Sequence, residues 1–376
     1  MGRDTGFPLL DRVDRYIVRI FVSSYLVAFL FFFGAFVVID LFSNIDDFID
    51  TGRAHNLEGS DIFRRVCGYY LYGSPAVFLQ VAPFVTVIGV IVTVARLQQA
   101  NELIPILMSG RSVYRTLRPI FVCGGVLTIL MILMQELVAP HVAARRISIG
   151  EFLKDGHQHV AVESSLVDEQ GNLWRGIKYD VKRDKIIEAT VERREEGRVL
   201  LARKVRDLVY DHSSNPPGWR ATGPGFHWLE IGYEAGAEKR QETEARFIVS
   251  SLEPRQIDAY MMEAFDLSFR DLGFLVATTP MERHRPRYIV LLHYHITFPL
   301  TNVLLILLAL PFVVRYEKKG LMVGLALAFV SCALYFGSDF ALRSLGENHL
   351  HPVLAAWFTP IFFGALGISL FDGIRT

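Results

Sequence analysis

The sequence predicts an α-helical polytopic membrane protein with six transmembrane helices, three on either side of an inserted all-β extracytoplasmic domain of sandwich or jelly-roll type. Two observations carry this prediction. Uncharged runs cover residues 20–39, 66–95, 119–135, 288–314, 320–338 and 350–371, and each reaches or approaches the ~20 residues that cross ~30 Å of hydrocarbon as helix. Between the third and fourth runs, residues 140–265 hold no long apolar stretch and are dense in charge. With 51% hydrophobic residues and 28 Phe in 376 residues, the chain is too apolar for an ordinary soluble enzyme.

Residues 1–14 form a polar tail, and Leu10-Asp-Arg-Val-Asp-Arg-Tyr16 leads into span one. Arg12, Arg15 and Arg19 precede an apolar stretch longer than a signal-peptide core, with no small-x-small cleavage site after it, so the stretch reads as a retained anchor. Within it, Phe29 to Phe33 present a nearly continuous aromatic surface that suits core packing, lipid or substrate acyl chains; Phe29, Phe32 and Phe33 are the candidates for the last role. The following loop carries Asp40, Asp46, Asp47, Asp50, Glu58 and Asp61 against Arg53, Arg64 and Arg65. Span two contains Pro75 and Pro83, each of which removes a backbone donor and bends a helix unless neighbours compensate. Arg96, Arg111, Arg115 and Arg118 follow span two, and Arg315, Lys318 and Lys319 follow span four, which predicts that these loops and both termini are cytoplasmic.

Between spans two and three lies the segment from Leu97 to Ser112, too short to cross a membrane. Leu103, Ile104, Leu107 and Met108 fall on one apolar stripe if it is helical, and Gly110 supplies the left-handed residue at which helices stop. A connector resting on the membrane surface and a helix offering a docking face fit this pattern equally. Pro105 is tolerated in a first turn but kinks an interior, so the helix is expected to begin after Glu102 or to bend.

The chain divides into residues 1–139 with the first three spans, 140–265 as the β domain, and 266–376 with the last three spans. In the middle part Val160–Val167, Leu173–Tyr179, Ile186–Glu192, Val199–Val209 and Phe226–Ile231 read as strands, with Trp174, Trp219 and Trp228 as core candidates. Residues 266–282 are expected to form a helix that returns the chain to the membrane. Asp339, near the outer end of span five, is either a functional intramembrane acid or the partner of Arg343 four residues on.

Chemical motifs are conspicuous mainly by what is missing. There is no G-x-x-x-x-G-K-[ST], G-x-S-x-G or H-E-x-x-H, so neither a phosphate loop nor a recognisable hydrolase centre is present. The pairs His157/His159, His293/His295 and His349/His351 lack a clear third ligand. Cys67, Cys123 and Cys332 show no pairing pattern. Nothing calls for a cofactor, a metal or nucleic acid.

Three spans, a β-rich insert and three more spans resemble the lipopolysaccharide-export permease family LptF/LptG across the whole chain. The local points are the opening Leu10-Asp-Arg-Val-Asp-Arg-Tyr-Ile17, Glu102-Leu103 followed by Ser109-Gly110, Val138-Ala-Pro140, and Phe298-Pro-Leu300 leading to Leu310-Pro-Phe312. The Asp-Arg-Tyr opening leans towards LptG. The resemblance implies a bacterial inner-membrane permease paired with a second LptF/LptG-type permease and driven by a cytoplasmic ABC ATPase dimer. The loop after span two would be the coupling helix, with Glu102, Leu103, Leu107, Met108, Gly110 and Arg111 as the ATPase-coupling residues. A periplasmic jelly-roll domain would pass the extracted lipid to a bridge protein of similar β-jelly-roll fold. Phe29, Phe32, Phe33, Asp40 and Arg53 are the substrate or lateral-gate candidates. The chain departs from the family in Pro105 and in Asp40, Asp46 and Asp47, where LptG members carry lysines. A membrane-anchored scaffold whose β domain binds a partner without transport is the alternative reading.

Overall fold

A computed structural model describes residues 11–155, 160–162, 165–181, 183–195, 198–234, 237–278, 285–315 and 321–373. Among the described residues, six helices are long and apolar enough to cross a membrane. They are α1 (Arg12–Ala54), α2 (Gly59–Gln99), α4 (Val113–Leu133, continued by a π turn at Met134–Val138 and α5 at Ala139–Asp155), α8 (Arg285–Arg315), α9 (Leu321–Asn348) and α10 (Pro352–Asp372). The short α3 (Leu103–Met108) separates α2 from α4. The π turn has a local cause: Pro140 has no N–H for the Glu136 carbonyl and its ring crowds that oxygen, so the helix widens just before it. The acidic stretch expected as a loop after span one is helical, because α1 runs on through Asp40, Asp46, Asp47 and Asp50 to Ala54 and α2 starts at Gly59.

Contacts divide the chain into two units. The helical unit comprises Met1–Val38, Ala76–Gln135 and Ile289–Thr376. Its core gathers Ile17, Phe21 and Tyr25 of α1, Val85 and Val94 of α2, Leu117 and Ile120 of α4, Leu305 and Leu310 of α8, and Tyr335 of α9. Glycines set the closest approaches: a Cβ on Gly124 would strike Ile306 of α8, and one on Gly346 would strike Ala355 of α10. Pro299 and Pro311 sit inside α8, and the Pro299 carbonyl is taken by Thr128 Oγ1 of α4 at 3.1 Å and by Asn302 Nδ2 at 3.1 Å.

The second unit comprises Ile39–Pro75 and Glu136–Tyr288 and contains the β domain. Among the described residues its nine strands are β1 (Val160–Val162), β2 (Leu166–Val167), β3 (Leu173–Asp180), β4 (Lys185–Glu195), β5 (Arg198–Asp211), β6 (Gly218–Ala221), β7 (Phe226–Glu234), β8 (Ala237–Ala245) and β9 (Phe247–Val249). All pairings are antiparallel, in the path β1-β3-β4-β5-β6-β9, with β2 on β3 and the β7–β8 hairpin on the start of β5. Four of the five expected strands are present as β3, β4, β5 and β7, the expected Val160–Val167 strand is divided into β1 and β2, and β6, β8 and β9 join them. Helix α6 (Pro254–Met261) contributes Ile257 to the core, and α7 (Phe269–Thr278) falls within the stretch expected to be helical.

The sheet curls because its strands are irregular at defined places. On β5 the buried residues Ala202, Val205, Leu208 and Tyr210 are spaced three, three and two, not strictly two. Asp207 (φ 55) is a left-handed position on the strand where the register is unbroken, whereas Lys204 (φ 55) takes up the extra position where the β4–β5 register shifts between Ala189 and Val191, as a bulge residue does. Gly176 (φ 58) plays the same part between Trp174 and Ile177 on β3. Curling brings Trp174 within 6.4 Å of Trp219, centroid to centroid. Buried Asp168 then fastens the seam, accepting from Asn172 N and Nδ2 (both 2.7 Å), Trp174 Nε1 (3.2 Å) and Ser250 Oγ (2.5 Å).

Candidate functional site

The segment after span two folds into a short helix for local reasons. α2 ends at Gln99, and Asn101 adopts a positive φ of 57°, turning the chain. Glu102 is the N-cap of α3, so Pro105 lies in the first turn, where its missing N–H has no intrahelical partner to lose. Gly110 (φ 84) ends the element and donates to Leu107 O at 3.0 Å. The helix therefore begins just after Glu102, as Pro105 requires.

The apolar stripe splits in two. Leu103 is 8% exposed and Leu107 packs beside it against the helical core. Ile104 and Met108, one turn apart, are 63% and 82% exposed. Leu103 and Leu107 thus anchor the helix from behind, and the available apolar face is Ile104 with Met108. Ile104 was not among the expected coupling residues, because spacing alone cannot say which edge of a broad stripe turns inward.

The polar residues flanking α3 are held by the first turns of α1. Glu102 Oε2 accepts from Tyr16 Oη at 2.7 Å. Arg111, with a side chain only 10% exposed, donates to Asp14 and to the Arg115 carbonyl. Arg115 in turn donates to Asp11 at 2.9 Å. A cleft of about 890 Å³ adjoins this region, lined among others by Met108, Arg111, Pro311, Phe312, Arg315 and Leu370. Asp14 and Tyr16 carry no local signal for these contacts, since 97 and 86 residues separate them from their partners.

The span-one candidates fall in both units. Phe29 and Phe32 pack against the helical core, and Phe33 stacks on Phe29 at 5.9 Å, whereas Phe31 is the exposed ring. In the other unit Asp40 accepts from Tyr70 Oη at 2.9 Å and Asn44 Nδ2 at 3.2 Å, and Arg53 is exposed and paired with Asp50 at 3.6 Å.

Elsewhere several buried polar groups find protein partners. Asn302 accepts from Thr86 Oγ1 at 2.8 Å, and Gln98 Nε2 donates to Val313 O at 2.9 Å. Asp339 pairs with Arg343 at 3.1 Å, and that guanidinium lies 3.9 Å over the Tyr294 ring, so the ion-pair reading of Asp339 holds. His293 accepts from Trp357 Nε1 at 3.2 Å and His295 meets Gln135, while His157/His159 lies outside the described residues. Among the described residues no group of three His, Cys, Asp or Glu side chains is placed to hold a metal, and the three cysteines are free. In the β unit, a cleft of about 550 Å³ is lined by His141, Arg255, Asp258 and Arg270 among others. Burial, reinforced by the nearby Asp184 charge, pushes the Asp258 carboxyl up to about 7. Burial likewise pushes Asp266 up to about 6, although Arg146 at 2.6 Å opposes it.

The model of the family described as lipopolysaccharide export system permease LptF/LptG matches residues 15–372. The chain belongs to this family. No curated protein matches it. LptF/LptG membership makes the chain a transporter permease subunit of a multi-component lipopolysaccharide export system and not itself an enzyme. The six apolar helices fit a multi-pass inner-membrane LptF/LptG protein.

Proposed function

We propose that this LptF/LptG permease extracts lipopolysaccharide, or a similarly large amphipathic lipid, from the inner membrane under the drive of a separate cytoplasmic ABC ATPase dimer. It works beside a second LptF/LptG-type permease and passes the lipid to a periplasmic bridge protein of β-jelly-roll fold. The observation that carries the coupling is α3: an exposed Ile104–Met108 face beside the Glu102 carboxylate, on a helix anchored from behind by Leu103 and Leu107. A chain without a phosphate loop needs an outside source of energy, and an apolar pair flanked by one acid is a docking face for a partner with a groove and a cation. The basic loops support a cytoplasmic position for α3 and both termini, and a periplasmic position for the β domain. Gly110 terminates the docking helix and Arg111 secures its far end.

On span one, the inward packing of Phe29 and Phe32 makes them supports for Phe33 and exposed Phe31, which are the better placed to meet acyl chains. Arg53, exposed and paired with Asp50 only at 3.6 Å, is a cation available to a phosphorylated head group, whereas the acid Asp40 is held by Tyr70 and Asn44.

The test is to co-purify the permease pair with its cognate ATPase and compare wild type with Glu102→Arg. Association and ATP turnover are expected to fall at least tenfold, because a cation would face the partner's cation. Unchanged association and turnover would sink the docking reading.

A further inference from the structure

The contacts around α3 carry a second step, which rests on reading α3 as the docking helix. Both ends of this helix are tied to one stretch of α1. At the leading end, Tyr16 Oη donates to Glu102 Oε2 at 2.7 Å. Past the trailing end, Arg111 meets Asp14, and Arg111 Nη1 lies 3.8 Å from Asp11. Asp14 is itself preset: its Oδ2 accepts the Asp11 backbone N–H at 3.1 Å, as a carboxylate at the start of a helix does. The charge-assisted contact to Arg111 is largely shielded from solvent, where such a bond is strong and directional.

A six-residue helix in an ordinary loop can swing without moving its neighbours. This one cannot, because displacing either end pulls on Asp14 or Tyr16. Those residues are continuous with Ile17, Ile20 and Phe21, which sit in the helical core. Phe21 lies directly against Gly89 of α2, so the same stretch of α1 is seated on the helix that leads into α3. The Tyr16 bond also has a geometric effect on docking. It occupies Oε2 of Glu102 and leaves Oε1 for a partner's donor, since a carboxylate accepts on both oxygens.

We infer that the opening of α1, through Asp14–Arg111 and Tyr16–Glu102, is the strap by which movement of the docking helix reaches span one, with Asp14 and Tyr16 as positioning residues for coupling. Span one is thereby moved by the docking event rather than by a later rearrangement of the bundle.

The experiment uses the full permease–ATPase complex in proteoliposomes loaded with purified lipopolysaccharide, and reads lipid transferred to a soluble acceptor per ATP hydrolysed. Tyr16→Phe removes one hydroxyl from a half-exposed ring, and Asp14→Asn removes one charge. Each is expected to lower the lipid-to-ATP ratio at least threefold while ATPase association stays as in wild type, and Tyr16→Phe, at an exposed bond, is expected to do so with the thermal midpoint unchanged, a pattern that a merely structural role does not produce. An unchanged ratio in both variants overturns the strap. So does a loss of association that matches the loss of export, since the turn would then be part of the docking surface itself. Glu102→Arg, run in parallel, reports on docking alone, so failure of the docking reading is seen separately from failure of the strap.

Discussion

The helical unit and the β unit both bury polar side chains, but of different kinds. In the helical unit the buried polar residues are mainly hydroxyls and amides, among them Thr86, Thr128, Gln98, Gln135 and Asn302, and its buried Asp339 carries Arg343 with it. In the β unit they include the carboxylates of Asp168, Asp180, Asp266 and Asp271. The solvent accounts for the contrast. A domain that folds in water begins with hydrated charges and can gather several donors around one carboxylate. A helix in hydrocarbon has no water to fall back on, so the buried polar groups there are mostly neutral ones that bond to one another or to backbone carbonyls, and the buried acid Asp339 brings its own cation.

This contrast can be broken at its strongest point first. Asp168→Ala leaves four donors from Asn172, Trp174 and Ser250 without their acceptor in a buried seam. The β unit should lose about 4 kcal/mol, given ~1–3 kcal/mol for each buried group left unsatisfied and incomplete additivity. Thermal unfolding followed by fluorescence of Trp174 and Trp219 measures this. A loss under ~1 kcal/mol would mean that water enters the seam.

The next effect concerns pH. A carboxyl whose folded-state value is raised binds its proton more tightly when folded, so its contribution is present below its ordinary range near 3.8 and is lost as pH rises through about 7. Asp258 should therefore make the β unit less stable by roughly 2 kcal/mol between pH 5 and pH 8. Asp258→Asn should flatten that slope, and an unaltered slope would assign the dependence to Asp266. The smallest effect belongs to the helical unit. Asn302→Ala removes the acceptor of Thr86 and a donor to the Pro299 carbonyl, yet should cost only about 1 kcal/mol, because partners are also found in the unfolded state within a membrane. A loss in detergent melts as large as that of Asp168→Ala would erase the contrast between the units.

Much of the architecture is legible in the sequence, and what is not has physical reasons. The six spans are visible because uncharged runs measure hydrocarbon thickness. The same runs understate helix length: Asp46, Asp47 and Asp50 are compatible with helix beyond the hydrocarbon, so α1 continues where a loop was expected. Likewise Ala139–Asp155 is helical and the first strand begins only at Val160, since charge density marks the end of apolar solvent and not the end of helix. β8 was missed because Ala237–Ala245 has no apolar alternation; pairing with β7 defines it. At the candidate site, the helix start set by Pro105 and the stop at Gly110 were readable from local chemistry, whereas Glu102 was singled out only by the family resemblance. The split of the stripe into Leu103/Leu107 and Ile104/Met108 was not, nor were Tyr16 and Asp14, because those depend on what the fold brings from far away.

The Asp168 seam also bears on the order in which the molecule is made. Its partners lie up to 82 residues apart, so the β unit cannot close until Ser250 has been synthesised. Its hydrophobic core nevertheless ends at Ile257, before any of span four has been added. The helical core, by contrast, joins Ile17 to Leu305, Tyr335 and Phe363 and stays open until the final helix arrives. On a ribosome delivering residues in sequence, the insert can finish folding while half of the membrane bundle is still unmade. The first three spans must therefore remain in the bilayer for a time without the helices that complete their packing, after the domain that follows them in sequence has folded.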